Sequence, residues 1–464
     1  MPIVAGVDSS TQSVKVVLRD ADTGELVAQA NEPHPDGTEV DPKAWEVALE
    51  SALAKVGKYK IDAISIAGQQ HGMVALDKNG EVIRKALLWN DTRSAGAAED
   101  LNREIPDIHI RTGSRLVASF TASKVRWLHD AEPDNANKLA AVALPHDWLS
   151  WRLSGSKNLD SLFTDRSDAS GTGYFNPETN SYDLEIMERV RNREGAFLTP
   201  KVLKPNEFGG ETTSGVPIAA GAGDNAGAAL GLGAKVGDLV ISLGTSGTAF
   251  AVSANPTKDA TGEVAGFADA TGNFLPLACT LNVSKVITTM AKVLDVSLDE
   301  FSSLALLASS GSDGLTLVPH FDGERTPNLP NSKGRFLGID NGNFTKPNIA
   351  RATIEGVVAG IIYAANALKH QGFLVQRILL IGGVSKNKAV RTIASAMFQS
   401  EIHLPKASEY VADGAATQAA WALSGRRTPP SWNNHMDSIS ESTSADSGLI
   451  DRYISILNAR HANF

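Results

Sequence analysis

The heptapeptide Gly221-Ala222-Gly223-Asp224-Asn225-Ala226-Gly227 sets one carboxylate among small residues. Glycines let a backbone approach a ligand closely. The Ala/Gly/Leu run that follows to Gly233 reads as a buried helix, which places Asp224 at a helix N-terminus. The positive end of the helix dipole favours the ionised form there. An ionised carboxylate on the floor of a glycine-lined cleft can take the proton of a substrate hydroxyl. The competing reading is that Asp224 is simply the N-cap of its helix.

Four further stretches carry side chains suited to the same task. Asp8-Ser9-Ser10-Thr11-Gln12-Ser13 is a tight turn between Ile3–Val7 and Val14–Leu18, rich in hydroxyls and N–H groups that could wrap phosphate oxygens. It is also ordinary hairpin chemistry. The strand over 61–67 runs into Gly68-Gln69-Gln70-His71-Gly72. Ligands of open α/β sheets sit at such carboxyl ends, where amide and imidazole groups could read sugar hydroxyls. Trp89-Asn90-Asp91-Thr92-Arg93 offers a flat ring face and hydrogen bonds, although Asp91 and Arg93 would equally form a structural ion pair. Arg377–Ile381 ends in Gly382-Gly383-Val384-Ser385-Lys386-Asn387, a strand, two glycines and a helix start where a flat base could lie on bare backbone.

The elements that must hold these groups are legible in outline. Residues 41–57 read as an amphipathic helix, capped by Asp41, opened by Pro42 and stopped by Gly57, with Trp45, Leu49, Leu53 and Val56 on one face. Residues 236–252 again read strand, tight turn, strand, and Thr245 can be laid on Thr11, Ser242 on Asp8 and Gly247 on Ser13. Two like hairpins about half a chain apart suggest a duplicated domain with a nucleotide between the halves. Helices are expected near 284–294, 299–309 and 347–371, the last with Gly356 and Gly360 spaced for close packing, and a small-residue helix opens at Asp413-Gly414. Beyond Gly425 the chain turns polar and reads as a mobile tail, closed by a short helix over 448–460.

Composition bounds the partners. A chain of 464 residues exceeds one core and implies two domains. The net charge of −9 argues against a nucleic-acid surface. The lone Cys279 rules out a disulfide framework and suits a reducing cytoplasm. Met1-Pro2-Ile3-Val4-Ala5-Gly6 lacks a basic segment and a long apolar run, so no secretory signal is expected. The most apolar run, 347–368, carries Arg351 and Glu355 and reads as a core helix rather than a membrane span.

Assembled, these pieces resemble the FGGY carbohydrate kinases of the actin–Hsp70–hexokinase superfamily over about residues 1–425. Ala67-Gly68-Gln69-Gln70-His71-Gly72, Leu88-Trp89-Asn90-Asp91-Thr92-Arg93, Gly223-Asp224-Asn225, Ser242-Leu243-Gly244-Thr245-Ser246-Gly247 and Gly323-Glu324-Arg325-Thr326-Pro327 carry the likeness. It implies an α/β fold of two ribonuclease-H-like (actin/Hsp70/hexokinase-type) domains with a cleft between them. The expected division is a sugar-binding domain over 1–228, a nucleotide-binding domain over 229–425 and the tail over 426–464. By resemblance the activity is ATP-dependent phosphorylation of a ketopentose, D-xylulose foremost, with ribulose, fuculose, gluconate or a polyol as alternative acceptors. A non-enzymatic, actin-like or chaperone-like nucleotide switch is the rival of a different class.

The resemblance also implies roles. Asp224 falls on the catalytic base. Gln70 (Met in many members), His71, Trp89, Asn90, Asp91 and Asn225 fall on the sugar site. Thr11, Gln12, Ser13, Lys15, Gly244, Thr245, Gly382, Gly383 and Asn387 fall on the ATP site, and Asp8 on Mg²⁺, held through water. Members usually carry glycines where this chain has Ser10 and Ser13. The implied partners are a small-molecule sugar and ATP, with no nucleic acid, no membrane and a homodimer as assembly.

Overall fold

Strands that are apolar at every position need cover on both faces, and the first strand of the chain obtains it. The computed structural model describes residues 1–192, 195–432, 436–439 and 448–461. It gathers the chain into two compact units: Met1–Lys235 with Val252–Pro276 and Ser408–Asn434, and Val236–Ala251 with Leu277–Ala407 and His435–Phe464.

The first unit is built on a sheet of β1 (Ile3–Ser9), β2 (Ser13–Asp20), β3 (Leu26–Pro33), β4 (Ala63–Gly68), β5 (Phe208–Glu211), β6 (Pro217–Ala219) and β7 (Ala222–Gly223). Its order is β5-β6-β4-β1-β2-β3, with β7 also on β4. The hairpins β1/β2 and β2/β3 are antiparallel, whereas β4 runs parallel to β1 and to β6. Side chains alternate between the faces of a strand. Ala5 and Val7 share a core with Trp45, Leu49, Ala52 and Val56 of helix α1 (Pro42–Lys55). Asp41 caps that helix by accepting from the Lys43 N–H at 3.0 Å, as the sequence predicts.

Val4, Val17 and Ala63 face the other way, onto Ala412, Ala416, Ala419 and Ala420 of the helix Tyr410–Ser424, which returns from the far end of the sequence. The approach is close enough that a Cβ on Gly6 would stand 1.9 Å from the Ala412 carbonyl oxygen. Through this packing the small-residue helix joins the first compact unit. Helices α2 (Pro145–Leu153), α3 (Arg166–Ser170) and α4 (Asp224–Gly231) complete the parts of this unit that matter below.

In the second unit six consecutive strands of a seven-stranded sheet follow the order β10-β9-β8-β11-β12-β13, formed by β8 (Asp238–Leu243), β9 (Gly247–Ala251), β10 (Phe274–Thr280), β11 (Arg377–Ile381), β12 (Ile402–Pro405) and β13 (Met436–Ile439). Again two antiparallel pairings are followed by two parallel ones and a last antiparallel strand. The order and directions of these six strands repeat the six-strand path of the first sheet, as the paired hairpins suggest, and the seventh strand of each sheet differs in place. A further detail differs. Ser9 pairs Val14 around the first turn, but Leu243 pairs Gly247 around the second. The second turn is one residue shorter, so Gly247 matches Val14 rather than Ser13.

Helix α5 (Lys346–His370) is buried along most of its length, and a Cβ on Gly356 would lie 2.3 Å from the Leu317 carbonyl oxygen, the close packing expected there. Asn387 caps α6 (Lys388–Phe398). Of the expected polar tail, 433–435, 440–447 and 462–464 lie outside the described residues, and the chain closes on a helix, Leu449–His461. No helix among the described residues is long and apolar enough to cross a membrane.

Candidate active site

Asp224 is the first residue of α4, and Gly223 occupies the cap position without any side-chain cap. The N-cap reading of Asp224 therefore gives way. The backbone N–H of Asn225 donates to its Oδ1 at 2.7 Å and the Asn225 side-chain amide at 2.8 Å. Burial lifts the carboxyl to about 6, against those two bonds and a third from its own backbone N–H. The helix dipole thus does not dominate as the sequence suggested; desolvation does, and it leaves a base with a pKa close to neutrality.

Three residues that sequence reasoning missed hold the loop leading to Asp224. Gln418, on the returning helix, accepts from the Gly221 N–H at 2.9 Å and donates to the Gly221 carbonyl at 2.7 Å. It also accepts from Ser65 at 2.6 Å. Ser167 Oγ accepts from the Gly223 N–H at 3.0 Å. His146 lies beneath, its Nδ1 2.6 Å from where a Gly221 Cβ would stand; Gly221 also needs its φ of +88°.

His146 is fully buried, with Nε2 3.2–3.5 Å from carboxylate oxygens of Asp147, Asp165 and Asp168. Burial opposes its charge, yet Asp147, Asp168 and Asp165 raise it to about 9, so it is an imidazolium balancing buried acids. The signal in the sequence is polar, turn-rich character at 145–148 and 164–172, which suits the edge of a cleft and does not say that His146 faces inward.

The sugar-reading candidates split. Gln70 packs on Gly223, where an added Cβ would stand 2.6 Å from its Nε2, and that nitrogen donates to the Ser167 carbonyl at 3.1 Å. His71 adopts φ +69°, places Nδ1 2.6 Å from the Gly171 carbonyl oxygen, and forms a three-ring cluster with Phe120 and Phe267 at 4.9 and 5.4 Å. Half-buried Trp89 donates from Nε1 to Thr11 Oγ1 at 2.9 Å, and Thr11 donates to Gln69 Oε1 at 3.4 Å. An indole N–H only donates, so the Thr11 proton is free for Gln69 and fixes that amide.

Asn90 is exposed. Asp91 is buried, with Oδ1 on the Arg93 N–H and Nε and Oδ2 on Thr38. Burial would raise it, but Arg93 and Thr38 hold it below the usual carboxylate range. Asp91 thus forms the ion pair with Arg93 that the sequence offers as one of its two readings.

In the first hairpin Asp8 is buried and its Oδ1 accepts from Ser10. Burial lifts it to about 7, moderated by Ser10 and Lys15 and reinforced by the charge of Asp224. The Lys15 ammonium is paired with Glu409 at 2.5 Å. Gln12 is exposed and Ser13 half-buried.

In the second unit Gly244 N–H donates to the Ser246 carbonyl at 2.9 Å and Thr245 is exposed at the turn. Gly382 has φ +94°, and a Cβ there would lie 2.4 Å from the Leu243 carbonyl oxygen. Gly383 is exposed with open space where a Cβ would be. Asn387 Oδ1 caps α6 and accepts from Ser302 at 2.9 Å.

Comparison with known proteins identifies the arrangement. The N-terminal domain model of the FGGY family of carbohydrate kinases matches residues 3–231, and the C-terminal domain model matches 239–423. The chain belongs to the FGGY family of carbohydrate kinases.

This kinase is 40% identical to a xylulose kinase of Streptomyces coelicolor, over 98% of this chain and 96% of that protein. A solved xylulose kinase from Bifidobacterium adolescentis is 42% identical, with a TM-score of 0.91, covering 98% of this chain and 99% of that one. A gluconate kinase from Lactobacillus acidophilus, 23% identical, has a TM-score of 0.89 over 100% and 99% of the two chains, which shows the shared fold.

The residues present fit the groups such a kinase takes. A buried Asp8 pushed to about 7 beside the charge of Asp224 is a carboxylate that a divalent cation would stabilise in its ionised form. The open side of Gly383 and the exposed Thr245 leave backbone bare at the strand ends of the second sheet.

Proposed function

We propose that this kinase transfers the γ-phosphoryl group of ATP to the terminal hydroxyl of D-xylulose, with Asp224 as general base. The observation that carries the mechanism is the state of Asp224: Oδ1 fixed by the backbone and side chain of Asn225, and a carboxyl raised to about 6 by burial. Such a group accepts a hydroxyl proton as the oxygen attacks phosphorus, a contribution of about 10²–10⁴-fold. Phosphoryl transfer passes through a loose transition state, so positioning and charge neutralisation supply the rest.

Gln70, His71, Trp89 and Asn225 orient the sugar in this reading. Gly244, Thr245, Gly382, Gly383 and Asn387 take the nucleotide, with Thr11, Gln12 and Ser13 on its phosphates. Asp8 would hold Mg²⁺ through water, and the ion would neutralise charge on the phosphate oxygens. A homodimer in a reducing cytoplasm is part of the same proposal.

The choice of D-xylulose rests on the named relatives at 40% and 42% identity, since the gluconate kinase shares the fold almost as fully. A panel of sugars with ADP detection tests it. D-xylulose should give the highest kcat/KM, and a higher value for ribulose, fuculose, gluconate or glycerol would overturn the assignment. A pure nucleotide switch would hydrolyse ATP at a rate indifferent to every sugar in that panel.

A further inference from the structure

We propose that Ser167 is a positioning residue for proton transfer: its hydroxyl fixes the backbone that carries the base, while its carbonyl fixes the side chain that reads the sugar. The inference rests on the roles given above to Asp224 and Gln70. Ser167 is fully buried on the short helix α3. Its Oγ accepts from the N–H of Gly223, the residue directly before the base, at 3.0 Å. Its carbonyl oxygen accepts from Gln70 Nε2 at 3.1 Å and from Ser170 Oγ at 2.6 Å. Gly223 and Gln70 also touch each other, since any Cβ on Gly223 would strike the Gln70 amide. One residue therefore sets the spacing between base and reader.

Ser167 is itself held on the other side. Its N–H donates to Asp165 Oδ2 at 2.7 Å, and Asp165 Oδ1 accepts from the Asp168 N–H at 3.0 Å. The His146 imidazolium stands 3.5 Å from that same Oδ1. The preceding turn of the loop is tied separately, Gly221 by both groups of the Gln418 amide. Ala222 and Gly223 also pair with Ala67 and Gly68 of β4, so the Ser167 hydroxyl is the side-chain tie that reaches the residue next to Asp224. This arrangement gives the side chain and the carbonyl of Ser167 different duties. Truncation of the hydroxyl frees the Gly223 arm and leaves the Gln70 arm, which uses backbone, in place.

The test uses the full chain as Ser167→Ala, Ser167→Cys and, as control, Asp224→Ala. Ser167→Ala should lower kcat about 10- to 100-fold, as expected when a reacting group is misplaced by a fraction of an ångström to an ångström. The xylulose KM should stay within about threefold, because Gln70 keeps its anchor. The acid limb of kcat should move to lower pH, since a loosened Asp224 gains water. Ser167→Cys keeps the shape but offers only a weak acceptor, so it should be impaired as Ser167→Ala is.

A kcat within twofold of the parent in Ser167→Ala overturns the proposal. So does a Ser167→Cys enzyme that behaves as the parent, which would mean that volume alone matters. A parallel fall in kcat, sugar affinity and melting temperature with an unmoved acid limb is a structural defect and overturns it too. Turnover retained in Asp224→Ala would instead defeat the underlying mechanism, whatever Ser167 does.

Discussion

At the end of β1 the first sheet presents Asp8, Ser9 and Ser10; at the matching end of β8 the second presents Ser242, Leu243 and Gly244. Beside them β4 runs out into Gly68, Gln69 and Gln70, and β11 into Gly382, Gly383 and Val384. Strand order and direction are the same along the six-strand paths of both sheets. The tips are not. The first set carries a buried acid and two buried amides, suited to a cation and to hydroxyl groups. The second carries small residues and bare backbone, suited to phosphates and a flat base. A repeated sheet supplies the places, and a few residues per strand end decide what each place binds.

The sharpest way to break this contrast is to remove acids from the first unit, Asp224 just beyond β7 and Asp8 at the end of β1. Asp224→Ala should lose about 10²–10⁴-fold in kcat, while calorimetry still shows xylulose binding; near-parental turnover would remove Asp224 from the chemistry. Asp8→Asn should raise the Mg²⁺ needed for half-maximal rate by about tenfold or more, since Mg²⁺ sites of this kind rest on one or two carboxylates. Ser242→Ala, at the matching position of the second sheet, should leave that requirement unchanged. Equal effects of the two substitutions would erase the distinction.

The pH profile comes next in size. Asp224 has a raised pKa of about 6, so the base form is lost as pH falls through that value. kcat should decline about tenfold per pH unit below it. The linkage to stability has the opposite sign. A carboxyl raised from 3.8 to about 6 on folding penalises the native state when ionised, and protonation between those values relieves the penalty. Asp224→Asn should therefore melt higher than the parent at pH 8 and show little advantage near pH 4. The smallest effect belongs to Gly383, where a Cβ meets open space. Gly383→Ala should fold normally and raise the ATP KM about threefold to tenfold, one methyl against a ligand face being worth about 1 kcal/mol, with the xylulose KM unmoved.

Local patterns were readable in the sequence where a single segment contains its own reason. Asp41-Pro42 opened α1, and the two Ser/Thr-rich turns announced the repeated hairpins. What escaped depends on partners far away along the chain. Gln418 looks like any polar residue of a small-residue helix until it meets Gly221, and Ser167 looks like turn chemistry until it meets Gly223. The elevated pKa of Asp224 escaped for a related reason: the dipole is a local property, whereas desolvation comes from the whole fold. Asp91 shows the converse, since its ion-pair partner Arg93 lies two residues away and was legible, whereas Thr38 was not. The missing residue in the second turn has no sequence signal at all, because Ser-Gly and Gln-Ser both suit a return strand.

The alanine face of the helix Tyr410–Ser424 bears on how this protein is made. Val4, Val17 and Ala63 emerge from the ribosome early, yet the surface that shields them is translated more than three hundred residues later. Through most of synthesis the nascent first unit exposes a greasy sheet face. A product halted near residue 235 would keep that face bare, which makes it a natural client for chaperones and a poor choice for expression as an isolated fragment.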